Sequence, residues 1–243
     1  MNDVRIPIDE FTIAGNSSAV ARIICEKGPF RMRGMLLTCS ETTRYLMIDD
    51  VKVGRNSQFC SCSAVPASFF DREDRQEGLY FDVLLRGQHL AVWVTNASPE
   101  PKPFGGVVYG DLANDYQSPR SHHLQLRSPD DRFCLGSGRV AVPPGWVGRL
   151  KSRLTVQMQS QIVFRPDCLV VPEHVLEGVS VTMVRAVGEI LWTKTEKIAA
   201  GQAKFCFPPV MQIADWLCVD VENKTNDSQF FSGTIVGTSP WTV

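Results

Sequence analysis

Leu90 to Gly110 reads LAVWVTNASPEPKPFGGVVYG, and Leu217 to Gly237 reads LCVDVENKTNDSQFFSGTIVG. The two stretches align without a gap at an offset of 127. Seven of the 21 columns are identical: Leu90/Leu217, Val92/Val219, Val94/Val221, Asn96/Asn223, Phe104/Phe231, Gly106/Gly233 and Gly110/Gly237. Chance would supply about one or two, so the match marks an internal repeat. In both copies an alternating Leu/Val run ends at Asn, turn-forming residues follow, and Phe-x-Gly opens a second apolar run. Alternation with period 2 is the mark of a half-buried strand, and Asn turns the chain through its own side chain. Each stretch therefore reads as the last two strands of a β unit.

A second pair lies upstream. Phe30 to Gly54 aligns with Phe164 to Gly188 at an offset of 134, keeping Phe-Arg at the start and Val-Gly at the end. Met35-Leu36-Leu37 then matches Leu169-Val170-Val171. Both pairs occur in the same order in each half, so the chain is expected to hold two copies of one fold. Further strands are expected at Ala19 to Cys25 and Leu154 to Phe164, before each Phe-Arg. One short helix per unit is expected at Pro66 to Glu77, closed by Gly78, and at Thr195 to Ala200, closed by Gly201. Asp71 and Arg75 have the i,i+4 spacing of a helical ion pair.

Ser118-Pro119, Ser128-Pro129, Gly136-Ser137-Gly138 and Pro143-Pro144-Gly145 give the middle of the chain a loop composition. The expected organisation is a first unit over 1–112, a linker over 113–149 holding one short strand at Arg139 to Val142, and a second unit over 150–243. With 15 Pro, 18 Gly and no long run of period 3.6, the fold class is all-β: two tandem β-sandwich, jelly-roll-like units with short helical excursions.

Composition limits the function. The 243 residues carry a net charge of −1 and a pI near 6.4, which gives no electrostatic footprint for a phosphate backbone, so direct nucleic-acid binding is not expected. No run approaches 18 apolar residues and the N-terminal stretch has no signal-peptide pattern, so neither a membrane span nor signal-driven secretion is expected. The eight cysteines, Cys25, Cys39, Cys60, Cys62, Cys134, Cys168, Cys206 and Cys218, contain no CxxC pair and sit mostly in apolar runs. They read as small buried hydrophobes of a protein from a reducing compartment.

Catalytic signatures are missing: no GxSxG, HExxH, P-loop or GxGxxG is present. Adjacent His122-His123 diverge on a strand, and His89 and His174 stand alone. Asp49-Asp50 and Asp130-Asp131 read as solvated carboxylates rather than an acid/base pair or calcium ligands. The expectation is no catalytic, cofactor-binding or metal-binding residue and no cofactor. Sequons occur at Asn16, Asn96, Asn223 and Asn226, and turn chemistry accounts for the two at the repeat position. Trp93, flanked by Val92 and Val94, points away from the core, and its repeat partner is Asp220. It reads as an interface or linker-packing residue, with a carbohydrate platform as the alternative.

Two tandem strand-rich units, each opening on Phe-Arg and an apolar strand and each ending Val-x-Asn to Phe-x-Gly-x-x-x-Gly, resemble the double jelly-roll coat proteins of tailless icosahedral bacteriophages. The resemblance implies a non-enzymatic, self-assembling capsid component located in the virion and assembled in the host cytoplasm. It further implies partners that are copies of itself, three chains forming a pseudo-hexameric block, and other virion proteins. The alternative is a tandem β-sandwich module that binds carbohydrate or another surface ligand.

Overall fold

The structure is a computed structural model of the 243-residue chain and describes residues 3–26, 28–38, 40–59, 63–112, 132–153, 165–186, 189–193, 204–207 and 216–238. The first half contains β1 (Asp3–Ile13), β2 (Ser17–Ile24), β3 (Phe30–Leu37), β4 (Leu46–Val53), β5 (Asn56–Ser57), β6 (Val65–Pro66), β7 (Val83–Leu84), β8 (His89–Asn96) and β9 (Lys102–Leu112). The second contains β10 (Arg132–Val142), β11 (Val147–Arg153), β12 (Arg165–Val170), β13 (Val179–Ala186), β14 (Glu189–Thr193), β15 (Lys204–Cys206), β16 (Trp216–Asn223) and β17 (Gln229–Thr238).

Their order in the sheets decides the topology. The first unit pairs β1-β9-β3-β7 in one antiparallel sheet and β2-β8-β4-β5 in the other, with β6 also on β4. The second repeats this as β10-β17-β12-β15 and β11-β16-β13-β14. Within each unit the chain crosses repeatedly between two facing sheets, staying in one sheet over β4 to β6 and over β13 and β14, and first and last strands lie side by side. That is the jelly roll, and it occurs twice.

The two copies agree to the residue. Val4 and Phe133, 129 apart, face Gly110 and Gly237, while Ala21 and Leu150, also 129 apart, face Val92 and Val219. Met32 and Pro166, 134 apart, face the same glycine pair, and a bulge follows each at the same place. Ile48 and Val181 face Val94 and Val221 at a spacing of 133, again with matching bulges. The gapless offset of 134 thus holds for β3/β12 and slips by one for β4/β13. The slip falls in the connection, where each unit has a short helix, Ser40–Thr43 and Glu173–Leu176.

Asn96 and Asn223 explain the repeat chemically. Both are fully buried. Asn96 Nδ2 donates to the carbonyls of Ile13 (3.1 Å), Ala14 (3.1 Å) and Glu100 (2.8 Å), and its Oδ1 accepts the Ser98 N–H (2.9 Å). Asn223 Nδ2 donates to the equivalent carbonyls of Val142 (2.8 Å), Pro143 (3.0 Å) and Asp227 (2.8 Å), and its Oδ1 accepts the Thr225 N–H (2.9 Å). One side chain ties the β8–β9 or β16–β17 loop to the end of the unit's first strand, satisfying backbone groups that no ladder reaches.

Several expectations change. β1 was not foreseen: its Val4, Ile6 and Ile8 alternate inward, but Pro7 and a bulge interrupt the run. Pro7 is tolerated because β1 is an edge strand. The expected short strand Arg139 to Val142 is the end of the eleven-residue β10, and the counterpart of β2 is β11, not Leu154 to Phe164, which lies outside the described residues. The stretch taken as linker, 113–149, therefore carries all of β10 and the start of β11. Among its described residues, Ser137-Gly138 form the β10 bulge and Pro143 to Gly145 the turn into β11. Pro66 to Glu77 forms two 3-10 turns, Ala67–Asp71 and Glu73–Arg75, with Gly78 at φ +75°. Thr195 to Ala200 lies outside the described residues.

The units form one packed body. Cys134, Cys168, Val170 and Val236, on the outward face of the β10-β17-β12-β15 sheet, join the first unit's core with Phe59, Val65 and Phe70. Each of these valine and phenylalanine side chains contributes about 1.5–3 kcal/mol by burial. Isolated parallel bridges link Phe59 to Cys134 and Leu79 to Arg132. Gly136 is required at this seam, since a Cβ would collide with the Ser63 and Ala64 carbonyls.

Candidate interaction surfaces and the inter-unit cleft

In the β2-β8-β4-β5 sheet, alternation sends Val20, Ile24, Ala91 and Trp93 away from the core. Trp93 is 41% exposed and Ile24 50%, and Lys52 Nζ sits 5.6 Å from the indole centroid. The equivalent surface of the second unit is ionic. Arg149 stands where Val20 does, Asp220 where Trp93 does and Arg185 where Lys52 does. Arg149 Nε donates to Asp220 Oδ1 at 2.9 Å and Arg185 closes on Oδ2. Burial raises the Asp220 carboxyl, but these two guanidinium groups outweigh it and hold the group below the ordinary range. At pseudo-equivalent positions one unit thus presents an exposed indole and the other a charge-paired cluster.

Asp49 and Asp50 lie at the β4 bulge, which brings both neighbouring carboxylates to one face of the sheet. Asp49 accepts from Thr95 Oγ1 (2.6 Å) and Asp50 from Ser57 Oγ (2.6 Å), so both lie on the outer face beside Trp93. Burial raises both carboxyls, opposed by those hydroxyls and, at Asp50, by Lys52. Among the described residues no three His, Cys, Asp or Glu side chains converge to hold a metal ion.

Where the units meet, Arg44, Ser68, Asp71, Arg75, Pro172, Glu173, His174 and Glu177 line a cleft of about 320 Å³. The expected Asp71–Arg75 helical pair does not form; Arg75 donates to the Ser68 carbonyl at 2.6 Å and approaches Glu173 of the second unit at 4.0 Å. Asp71 accepts from Thr43 Oγ1 at 3.0 Å, while its Oδ1 and the Ser68 hydroxyl are buried without a partner. Burial pushes the Asp71 carboxyl up to about 6. Burial lowers His174, and the charges of Arg44, Arg139 and Arg75 add to that.

The remaining histidine and carboxylate readings separate. His89 is exposed at the start of β8, and His122, His123, Asp130 and Asp131 lie outside the described residues. Among the cysteines, Cys25, Cys134 and Cys168 are buried as expected, whereas Cys206 is exposed and Cys218 half-buried. Cys39, Cys60 and Cys62 lie outside the described residues. Sequence reasoning singled out Trp93 but missed the cleft, which is made by two segments about 100 positions apart. Among the described residues no helix is long and apolar enough to cross a membrane.

No family model matches the chain, and no curated protein matches it. Among solved structures it is similar to the major capsid protein P2 from bacteriophage PM2, at a TM-score of 0.42 and 9% identity, over 100% of this chain and 98% of that one.

Proposed function

We propose that this protein is a self-assembling shell component of a virus capsid, acting as a structural protein and not as an enzyme. The observation that carries the reading is the duplication of the jelly roll within one packed body. Pseudo-equivalent units present similar edges around one block, and a closed shell needs such repeated contacts. The unlike surfaces at Trp93 and Asp220 supply what identical repeats lack, a way to tell one contact from another. Exposed apolar area at Trp93 and Ile24 suits burial against another subunit. On this reading the partners are copies of the chain, grouped in threes, and other virion proteins. The place of action is the virion, assembled in the host cytoplasm, with no cofactor, catalytic residue, metal ligand or direct nucleic-acid contact.

A tandem module that binds carbohydrate is the second reading, favoured by the exposed indole of Trp93 beside Asp49 and Asp50. Light scattering across protein and salt concentrations, followed by negative-stain imaging, separates the two. Trimers, sheets or closed particles are expected, and Trp93→Ser should reduce them while leaving the fold intact. A strict monomer at every concentration, with glycan binding abolished by the same substitution, would establish the second reading instead.

A further inference from the structure

The second unit contains two thiols placed for a covalent bond. β15 is the edge strand of its sheet and pairs with β12 over three residues, Cys168 with Cys206, Leu169 with Phe205 and Val170 with Lys204. Leu169 and Phe205 point into the unit's core, so strand alternation places Cys168 and Cys206 together on the opposite face. Directly opposed residues of antiparallel strands have Cα atoms about 4.5–5.5 Å apart, inside the 4.4–6.8 Å that a disulfide spans. Both thiols are free, Cys168 fully buried and Cys206 exposed to solvent.

Other described cysteines are excluded by geometry. Cys134 and Cys168 flank Val236 from opposite sides of β17, which sets them two strand spacings apart, about 9–10 Å and beyond disulfide reach. Cys218 lies on β16 of the facing sheet, and its neighbour Val219 points into the core, so Cys218 points away from it. Cys25 lies just past the end of β2, where its thiol donates to the Gly28 carbonyl at 3.0 Å. Cys206 is thus the one described thiol opposite Cys168.

We propose that Cys168 and Cys206 are a redox site that closes to a disulfide on meeting a low-molecular-weight disulfide, fastening edge strand β15 to β12. The exposed Cys206 thiolate attacks one sulfur of oxidised glutathione, forming a mixed disulfide and expelling one glutathione thiolate. The Cys168 thiolate then attacks the Cys206 sulfur, forming the Cys168–Cys206 bond and expelling the second. Two cysteine thiols are oxidised, one glutathione disulfide is reduced to two thiols, and the protons released by the cysteines end on glutathione. Closure speeds up with rising pH, because burial holds the Cys168 thiol up. Arg132, whose Nη2 lies 3.8 Å from Cys168 Sγ, and Lys204 oppose that burial, while Cys206 and Asp167 reinforce it.

The structural effect falls on the sheet edge. β15 has only a three-residue ladder, and Phe205 is its one buried side chain. A bond at Cys206 removes the freedom of that edge to peel, so the same chain is more labile in a reducing compartment than outside one. This site is independent of the assembly role.

The test treats the intact protein with oxidised glutathione at pH 8, quenches with an alkylating agent and maps peptides without reduction. The expected product is a single Cys168–Cys206 linked peptide, with Tm raised by about 5–10 °C and restored by dithiothreitol. Cys206→Ser, at an exposed position, should abolish both changes, and Cys168→Ala should leave a lasting glutathione adduct on Cys206. Wild-type protein that keeps both thiols alkylatable, retains the adduct, or links Cys206 to any other cysteine overturns the proposal.

Discussion

Replacing Asn96 tests the whole argument about the repeat. Asn96→Ala removes four hydrogen bonds, three donated to carbonyls and one accepted from Ser98 N–H, at a fully buried position. At about 1 kcal/mol each the loss is about 4 kcal/mol, and water reaching the loop carbonyl of Glu100 reduces it to about 3 kcal/mol. For a chain of this size that corresponds to a fall in Tm of about 6–12 °C. Asn223→Ala removes the matching four bonds and a fifth, accepted from Thr225 Oγ1, and is expected to cost the same or up to about 1 kcal/mol more. Asn96→Asp keeps the shape but turns an acceptor toward three carbonyl oxygens, so it should cost more than alanine. Guanidinium unfolding followed by circular dichroism, run on all three variants, measures these differences. A loss below 1 kcal/mol at Asn96, or an Asp variant as stable as the parent, would show that the side chain is a passive turn former and would refute the reasoning.

Asp71→Asn should stabilise the protein above pH 6 and leave it unchanged near pH 4. The folded carboxyl is raised to about 6, so the native state loses stability as pH climbs from about 4 toward 6 and carries the full penalty beyond; after allowance for partial solvent access the gain is about 1 kcal/mol. Thermal melts of both proteins at pH 4 and pH 8 check it. Asp220 gives the opposite sign: its depressed carboxyl stabilises above pH 4 and that contribution fades on acidification, so Asp220→Asn should narrow the gap in Tm between pH 7 and pH 3. Gly110→Ala should cost at least about 3 kcal/mol, measured by denaturant unfolding, because its Cβ would meet the Arg31 carbonyl inside the β3–β9 ladder.

The Leu90/Leu217 stretches by themselves determined that the fold is repeated, that strands end at Asn96 and Asn223, and that Trp93 faces outward. Each of these is a local matter, carried by period-2 alternation and by one residue's turn chemistry. The missed strands have local causes too. β1 is broken by Pro7 and a bulge, and β10 by the bulge at Ser137-Gly138, so neither shows an unbroken alternation.

What only the tertiary structure decided is which strands lie side by side. Jelly roll and other Greek-key sandwiches share the same strand texture, and β1 meets β9 across about 100 residues of chain that no periodicity reports. The seam that welds the units, the Asp71 cleft and the opposed thiols Cys168 and Cys206 arise the same way. They depend on register, since moving one strand by a single residue would turn Cys206 inward and Phe205 out, and register is set by the packing of both sheets at once.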